Sequence, residues 1–201
     1  MKIFDFKMYG ITYLPLVVAF LVVPCMLYLP KELAYENGLL ENIQMLVLFF
    51  CFYMSVVSKN YKKLFTFVAL FIVILMLREV NCGRTLFFPI PGEVNMFYSW
   101  KDIPYGWLAH PLYGLYIAFV VLYFLKNKLF LDIWNIIKKS KIPVWNVLLL
   151  ILGLVLSLIA EKFTHNFPFE EISELLMYTS IVSLIWLYTK NDNCIEENTE
   201  K

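Results

Sequence analysis

The densest group of residues able to do chemistry stands in one short stretch. Glu161, Lys162, Glu170, Glu171 and Glu174 put five charged groups within fourteen positions, and His165 adds a titratable sixth. Carboxylates and an imidazole at this density suit acid–base catalysis, proton transfer or cation binding. Their spacing carries more information than their number. Gly153, Ser157, Glu161 and His165 are each four apart and form one stripe if a single helix carries them all. Glu171, Glu174 and Tyr178 share a helical face at spacings of three and four, and so do Asn37, Glu41 and Gln44.

A second group of residues ends or opens other apolar runs. Glu79 and Glu161 sit where helices should end, against the negative pole of the helix dipole, so each calls for a partner or a bound cation. Arg78 and Arg84 are the candidates to hold an anionic group such as phosphate. His110 precedes Pro111 at the start of another run. Glu161, His165 and His110 are the candidate metal ligands, because imidazole and carboxylate both bind divalent cations. Glu161-x-x-x-His165 places two of them on one turn, without the second His of a zincin helix. No cofactor other than such a divalent metal is implied.

Two family patterns come near without being completed. Glu170-Glu171 at a helix start resembles the first motif of the intramembrane Glu-type CAAX proteases, which wants Arg four residues after the second Glu, where Leu175 stands. The zinc hydrolases that resemble alkaline ceramidases use three His, and this chain has two.

The elements that must position these residues are membrane helices. The 201 residues are 61% hydrophobic and 16% charged, against about half and about a quarter in soluble domains. Runs at 11–30, 38–57, 64–80, 105–125, 143–162 and 171–189 reach or approach the about 20 residues needed for a crossing. The first run continues past any signal-peptide core and is read as a retained helix. Positions 126–141 alternate Lys128, Asp132, Asn135 and Lys139 with apolar residues at helical spacing, as a basic interfacial helix would. The expected fold is therefore all-α and polytopic. It is a single integral membrane domain over 1–201, with six transmembrane helices, one cytoplasmic-side amphipathic helix and a polar tail at 190–201 without fixed structure.

Charge sorts between the two ends of this bundle. Lys2, Lys7, Lys59, Lys62, Lys63, Lys126, Lys128, Lys138, Lys139, Lys141 and Lys190 fall on one side, and most carboxylates on the other. The positive-inside rule then places the protein in the cell membrane with both termini cytoplasmic and the acidic face outward. A net charge of +1 and the absence of any nucleic-acid motif argue against a nucleic-acid partner. Four Cys without a C-x-x-C pair give neither a zinc ribbon nor a disulfide framework.

These features predict an outward-facing pocket that acts on a small polar or lipid-linked substrate at the membrane surface. Glu161, His165, Glu174 and Glu79 would be its catalytic groups; Arg78, Glu41, Gln44, Arg84, His110 and Glu171 would bind substrate. Membrane lipids are the expected partners, and the aromatic loop at 81–104 suits the headgroup layer or a second membrane protein. Three other accounts remain open. Helix dipoles alone favour carboxylates at the outer N-termini, such as Glu36, Glu41 and Glu170. The same carboxylates would serve an ion or solute transporter, although the cytoplasmic halves read as dry, with only Ser55, Thr66 and Ser180. A non-enzymatic subunit would use the cluster as an ion-pair latch.

Overall fold

Apolar runs become helices here, and residues with left-handed backbone form the joints. The computed structural model describes residues 4–190; Lys2 and the tail beyond 190 lie outside the described residues. The helices are α1 (Tyr13–Tyr28), α2 (Leu39–Val57), α3 (Lys62–Glu79), α4 (Arg84–Phe87), α5 (Ala109–Lys126), α6 (Leu129–Lys139), α7 (Val144–Ile159) and α8 (Phe167–Lys190). Asn37, Tyr61, Asn81, Cys82, Lys128 and His165 have positive φ, and each stands between helices. Five helical stretches are long and apolar enough to cross a membrane: Gly10–Tyr28, Lys31–Val57, Gly106–Lys126, Val144–Thr164 and Phe167–Thr189. A sixth crossing exists if α3 is taken together with the segment Asn81–Phe87, which is bent from it by 58°. The protein is thus a mostly helical, multi-pass membrane protein.

The axis of the bundle is α8. Of its most apolar stretch 72% is buried, against 6% for α5. The sequence carries the reason: α8 has apolar residues on every face and no separate polar stripe, the pattern of a helix enclosed by protein. Ser173, Thr179, Ser180 and Ser183 are small enough to let neighbours come close, and each hydroxyl donates back to a carbonyl of its own helix. Helices α7, α1 and α2 pack around α8, and α3 joins through α2. Val18, Val22, Leu149 and Leu176 fill one side of the core; Leu48, Cys51, Phe65 and Ile72 fill the other. By contrast α5 rests on α3 through tyrosine hydroxyls. Tyr113 donates to the Ile74 carbonyl at 3.4 Å and Tyr116 to the Leu70 carbonyl at 3.1 Å.

Three details depart from the expectations above. First, the end of the bundle around α7's first turn is not dry. Thr12 Oγ1 donates to Asn146 Oδ1 at 3.0 Å, and Asn146 Nδ2 donates to Ser183 Oγ at 2.7 Å, all three residues being buried. Second, two short strands, β1 (Phe4–Asp5) and β2 (Ile142–Pro143), pair in parallel beside that network. Burial works against the charge of Asp5. The Tyr9 hydroxyl, the Lys7 backbone N–H and the charges of Lys141 and Lys7 outweigh it and hold the carboxyl below the usual carboxylate range. Third, the aromatic loop folds into a tight hairpin, closed by hydrogen bonds from the Ile90 N–H to the Met96 carbonyl and from the Tyr98 N–H to the Phe88 carbonyl. Asn95 at its tip accepts from the Glu36 N–H at 3.0 Å.

The closest helix contact runs through Gly153. A Cβ there would stand 2.7 Å from the Met177 backbone nitrogen, so α7 and α8 touch backbone to backbone. Replacing Gly153 by Leu should therefore destabilise the fold by about 1–3 kcal/mol, through forced separation of the two helices. Gly114→Ala, where a Cβ meets nothing within 4 Å, should leave stability unchanged or slightly higher. Thermal unfolding of the two purified variants in detergent checks both.

Candidate functional site

Polar side chains from α2, α3, α7 and α8 meet at the end of the bundle opposite the Asn146 network. Helix α2 contributes from its inward line. Glu41, Gln44, Leu48, Cys51 and Ser55 are all buried at spacings of three and four, facing α8. The line begins at the first turn because Asn37 takes positive φ and Gly38 caps the helix. Any Cβ on Gly38 would lie 2.5 Å from the Tyr35 carbonyl oxygen. Glu41 folds back on this turn and accepts from the Asn37 backbone N–H through Oε2.

Helix α3 contributes Arg78 and Glu79 at its last turn. Adjacent residues on a helix diverge, yet these two pair, because the helix ends at Glu79 and releases the side chains. Arg78 donates to Glu79 Oε1 from Nη2 at 2.9 Å and from Nε at 3.1 Å, and its Nη2 also bonds Glu174 Oε1. The two acid side chains are 5% and 9% exposed and the Arg78 side chain 48%, so the arginine reaches in from the rim. Glu79 Oε1 further accepts from the Tyr178 hydroxyl at 2.5 Å, and Glu174 Oε1 from Ser157 Oγ at 3.3 Å. The carboxylate that the dipole disfavours at α3's end is thus held by a cation and a phenol.

Beside this network lies a second arrangement. Gln44, fully buried, donates through Nε2 to the Glu171 carbonyl at 2.8 Å and to Glu171 Oε2 at 2.9 Å, while its Oε1 has no hydrogen-bond partner. Glu174, Glu79 and Glu41 are all electrostatic neighbours of Glu171. Four carboxylates therefore share one region with one guanidinium. Formally three negative charges are left over, to be met by protons or by a bound cation. An apolar cavity of about 360 Å³ opens between α2, α3 and α4, bounded among others by Met45, Phe49, Met76, Val80 and Leu86.

Of the residues read from sequence, the structure brings together Glu41, Gln44, Arg78, Glu79, Glu171 and Glu174. It keeps Glu161, His165 and His110 exposed. The stripe from Gly153 continues only to Ser157. Each step of four advances about 40° around a helix, so the buried line passes to Ala160 and Glu161 turns outward. There the chain widens into a π turn, Ala160–Thr164, which His165 closes with positive φ. The imidazole of His110 stands edge-on to Trp100, with ring centres 5.5 Å apart. Arg84 faces Glu36 at 3.9 Å and the Phe97 ring at 5.9 Å. With the Asn81 amide turned to face it, Asn81 Oδ1 accepts from Arg84 Nη2 at 2.8 Å. Arg84 thus fastens the hairpin to the helix ends. Among the described residues, no three His, Cys, Asp or Glu side chains are placed to hold a metal ion. Ser157 and Tyr178 join the cluster although neither was a candidate; the sequence showed both on the right faces.

Removing Arg78 strands two nearly buried carboxylates. Arg78→Leu should cost roughly 3 kcal/mol, the lower end for a broken buried pair because the Arg78 side chain is half exposed. The double variant Arg78→Leu, Glu174→Gln should lose less than the single one, since the remaining charge is smaller. Unfolding temperatures of the three proteins test that order. No family model, curated protein or solved structure is similar enough to this chain to lend it a function.

Proposed function

We propose that this chain is a single-domain, six-span membrane protein whose outer acidic cluster binds and acts on a polar or lipid-linked substrate at the membrane–water boundary. Its sixth span runs through α3 and the bent Asn81–Phe87 segment. Both termini are cytoplasmic by the positive-inside rule, since Lys59, Lys62, Lys63, Lys126, Lys128 and Lys138 cluster at the end away from the acids. Helix α6 lies along the cytoplasmic surface, its Trp134 ring beneath the Lys138 ammonium.

One observation carries the reading: four carboxylates from three helices gather inside a membrane bundle, and only two of them, Glu79 and Glu174, share a guanidinium. Hydrocarbon does not tolerate such a surplus without a use for it. Glu174 and Glu79 are the proton-transfer groups, aligned by Arg78, Tyr178 and Ser157. Arg78 is engaged by both acids and acts as their positioning residue rather than as a free anion clamp. Glu41, Gln44 and Glu171 contact the substrate. Glu161 and His165, exposed beside Glu170, are dispensable.

The experiment compares the lipid composition of membranes carrying the wild-type protein, Glu174→Gln or Glu161→Ala at equal abundance. Wild type and Glu161→Ala should alter one headgroup class or lipid-linked species relative to empty membranes, and Glu174→Gln should not. Identical lipid profiles from wild type and empty membranes would overturn the proposal.

A second reading, a carrier for a small cation, draws on the polar residues that continue along α8 through Thr179, Ser180 and Ser183 to Asn146 and Thr12. Those hydroxyls are satisfied by their own helix, which weakens it. Flux into proteoliposomes without chemical turnover would favour it.

A further inference from the structure

The cluster divides into two halves, and only one is complete. Around Arg78, two carboxylates meet one guanidinium, and Tyr178 and Ser157 supply hydroxyl donors. Around Gln44 the arithmetic differs. Glu41 and Glu171 bring two carboxylates, and among the described residues no Lys, Arg or His side chain bonds either. Glu41 Oε2 is taken by the Asn37 N–H and Glu171 Oε2 by Gln44 Nε2. What remains is Glu41 Oε1, Glu171 Oε1 and Gln44 Oε1. The last belongs to a side chain that is 0% exposed, and no donor reaches it. A buried amide oxygen without a partner is uncommon in native proteins, and its donor comes from a water, a proton or a ligand group.

The missing ligand must therefore carry positive charge and hydrogen-bond donors together. An anion is repelled by both acids and finds no free N–H. Protons alone would supply a donor to Gln44, but they would leave no reason for two acids to flank it. A primary ammonium has three N–H donors, one positive charge and no acceptor, equal in number to the three open acceptors. We propose that Glu41, Gln44 and Glu171 form a binding site for a primary ammonium group, so that the substrate of the outer cluster is amine-headed. This rests on the reading of the cluster as a substrate site. The ammonium can come from a lipid headgroup or from a soluble amine.

The test holds the tails and phosphate constant and changes only the nitrogen. Wild-type protein in mild detergent is titrated with short-chain phosphatidylethanolamine and phosphatidylcholine, and bound lipid is read by native mass spectrometry. The trimethylated nitrogen keeps its charge but has no N–H, so the ethanolamine lipid should bind about tenfold tighter or better. Glu41→Gln and Glu171→Gln, each checked for unchanged elution and unfolding temperature, should erase that preference. Free ethanolamine should compete; if it binds while the ethanolamine lipid does not, the ammonium comes from a soluble amine. Equal binding of the two lipids with no binding of ethanolamine overturns the proposal, as does a preference that survives in both folded variants. Should the wild-type protein still change membrane lipid composition in a Glu174-dependent way, the cluster remains a substrate site for some other headgroup. If that change is absent too, the broader reading falls with it.

Discussion

Hydrocarbon offers no hydrogen bonds, so every polar group on a membrane helix must find its partner within the protein. In this chain that constraint falls mainly on α8, the helix enclosed by the others. Its acids lie toward one end and most of its hydroxyls run from the middle toward the other, and the neighbours are arranged to meet them. At one end Ser183 receives Asn146, which in turn receives Thr12. At the other Glu174 and Glu171 receive Arg78, Ser157 and Gln44. Between them, small side chains and Gly153 allow backbone-close packing, which fixes the axial register of α7 on α8. That register decides whether Ser157 reaches Glu174. The site is therefore a consequence of how α8 is wrapped, and α5, held to α3 at its edge, has little part in it.

Much of this was legible because two periodicities are reliable in sequence. Long apolar runs gave the helices, and polar residues at spacings of three and four gave the faces Glu171–Glu174–Tyr178 and Glu41–Gln44. What escaped had local causes. A strict spacing of four looks like a stripe but drifts around the helix, so Glu161 and His165 left the face that Gly153 and Ser157 occupy. The π turn that follows has no marker in the residues Ala160–Thr164 that pattern reading would catch. Asn146 was readable in principle, as a lone amide early in an apolar run, but its partners Thr12 and Ser183 lie far off in sequence. Which of the two arginines serves the cluster also depends on tertiary structure. Arg78 ends a helix packed on α2, whereas Arg84 follows the break at Asn81 and Cys82 and is drawn to the hairpin.

The two ends of α8 allow the structural and functional accounts to be weighed within one molecule. A fastening in this fold already exists at the Asn146 end: three neutral groups, each matched, with no charge brought into the membrane. Were the acidic end only another fastening, Arg78 with Glu79 and Glu174 would more than suffice, since one guanidinium can clamp two carboxylates. Glu41 and Glu171 add two further acids for which the described residues supply no further cation, and Gln44 adds an oxygen with no donor among them. The helix dipole explains a carboxylate at the first turn of α2 and of α8, but a dipole explains position near the surface, not burial against a second acid. Gln44 commits its amide nitrogen to Glu171, through both the carbonyl and Oε2. Two acids and an unpartnered amide oxygen brought this close cost stability by themselves, and a ligand that supplies charge and donors together, as proposed above, would offset that cost.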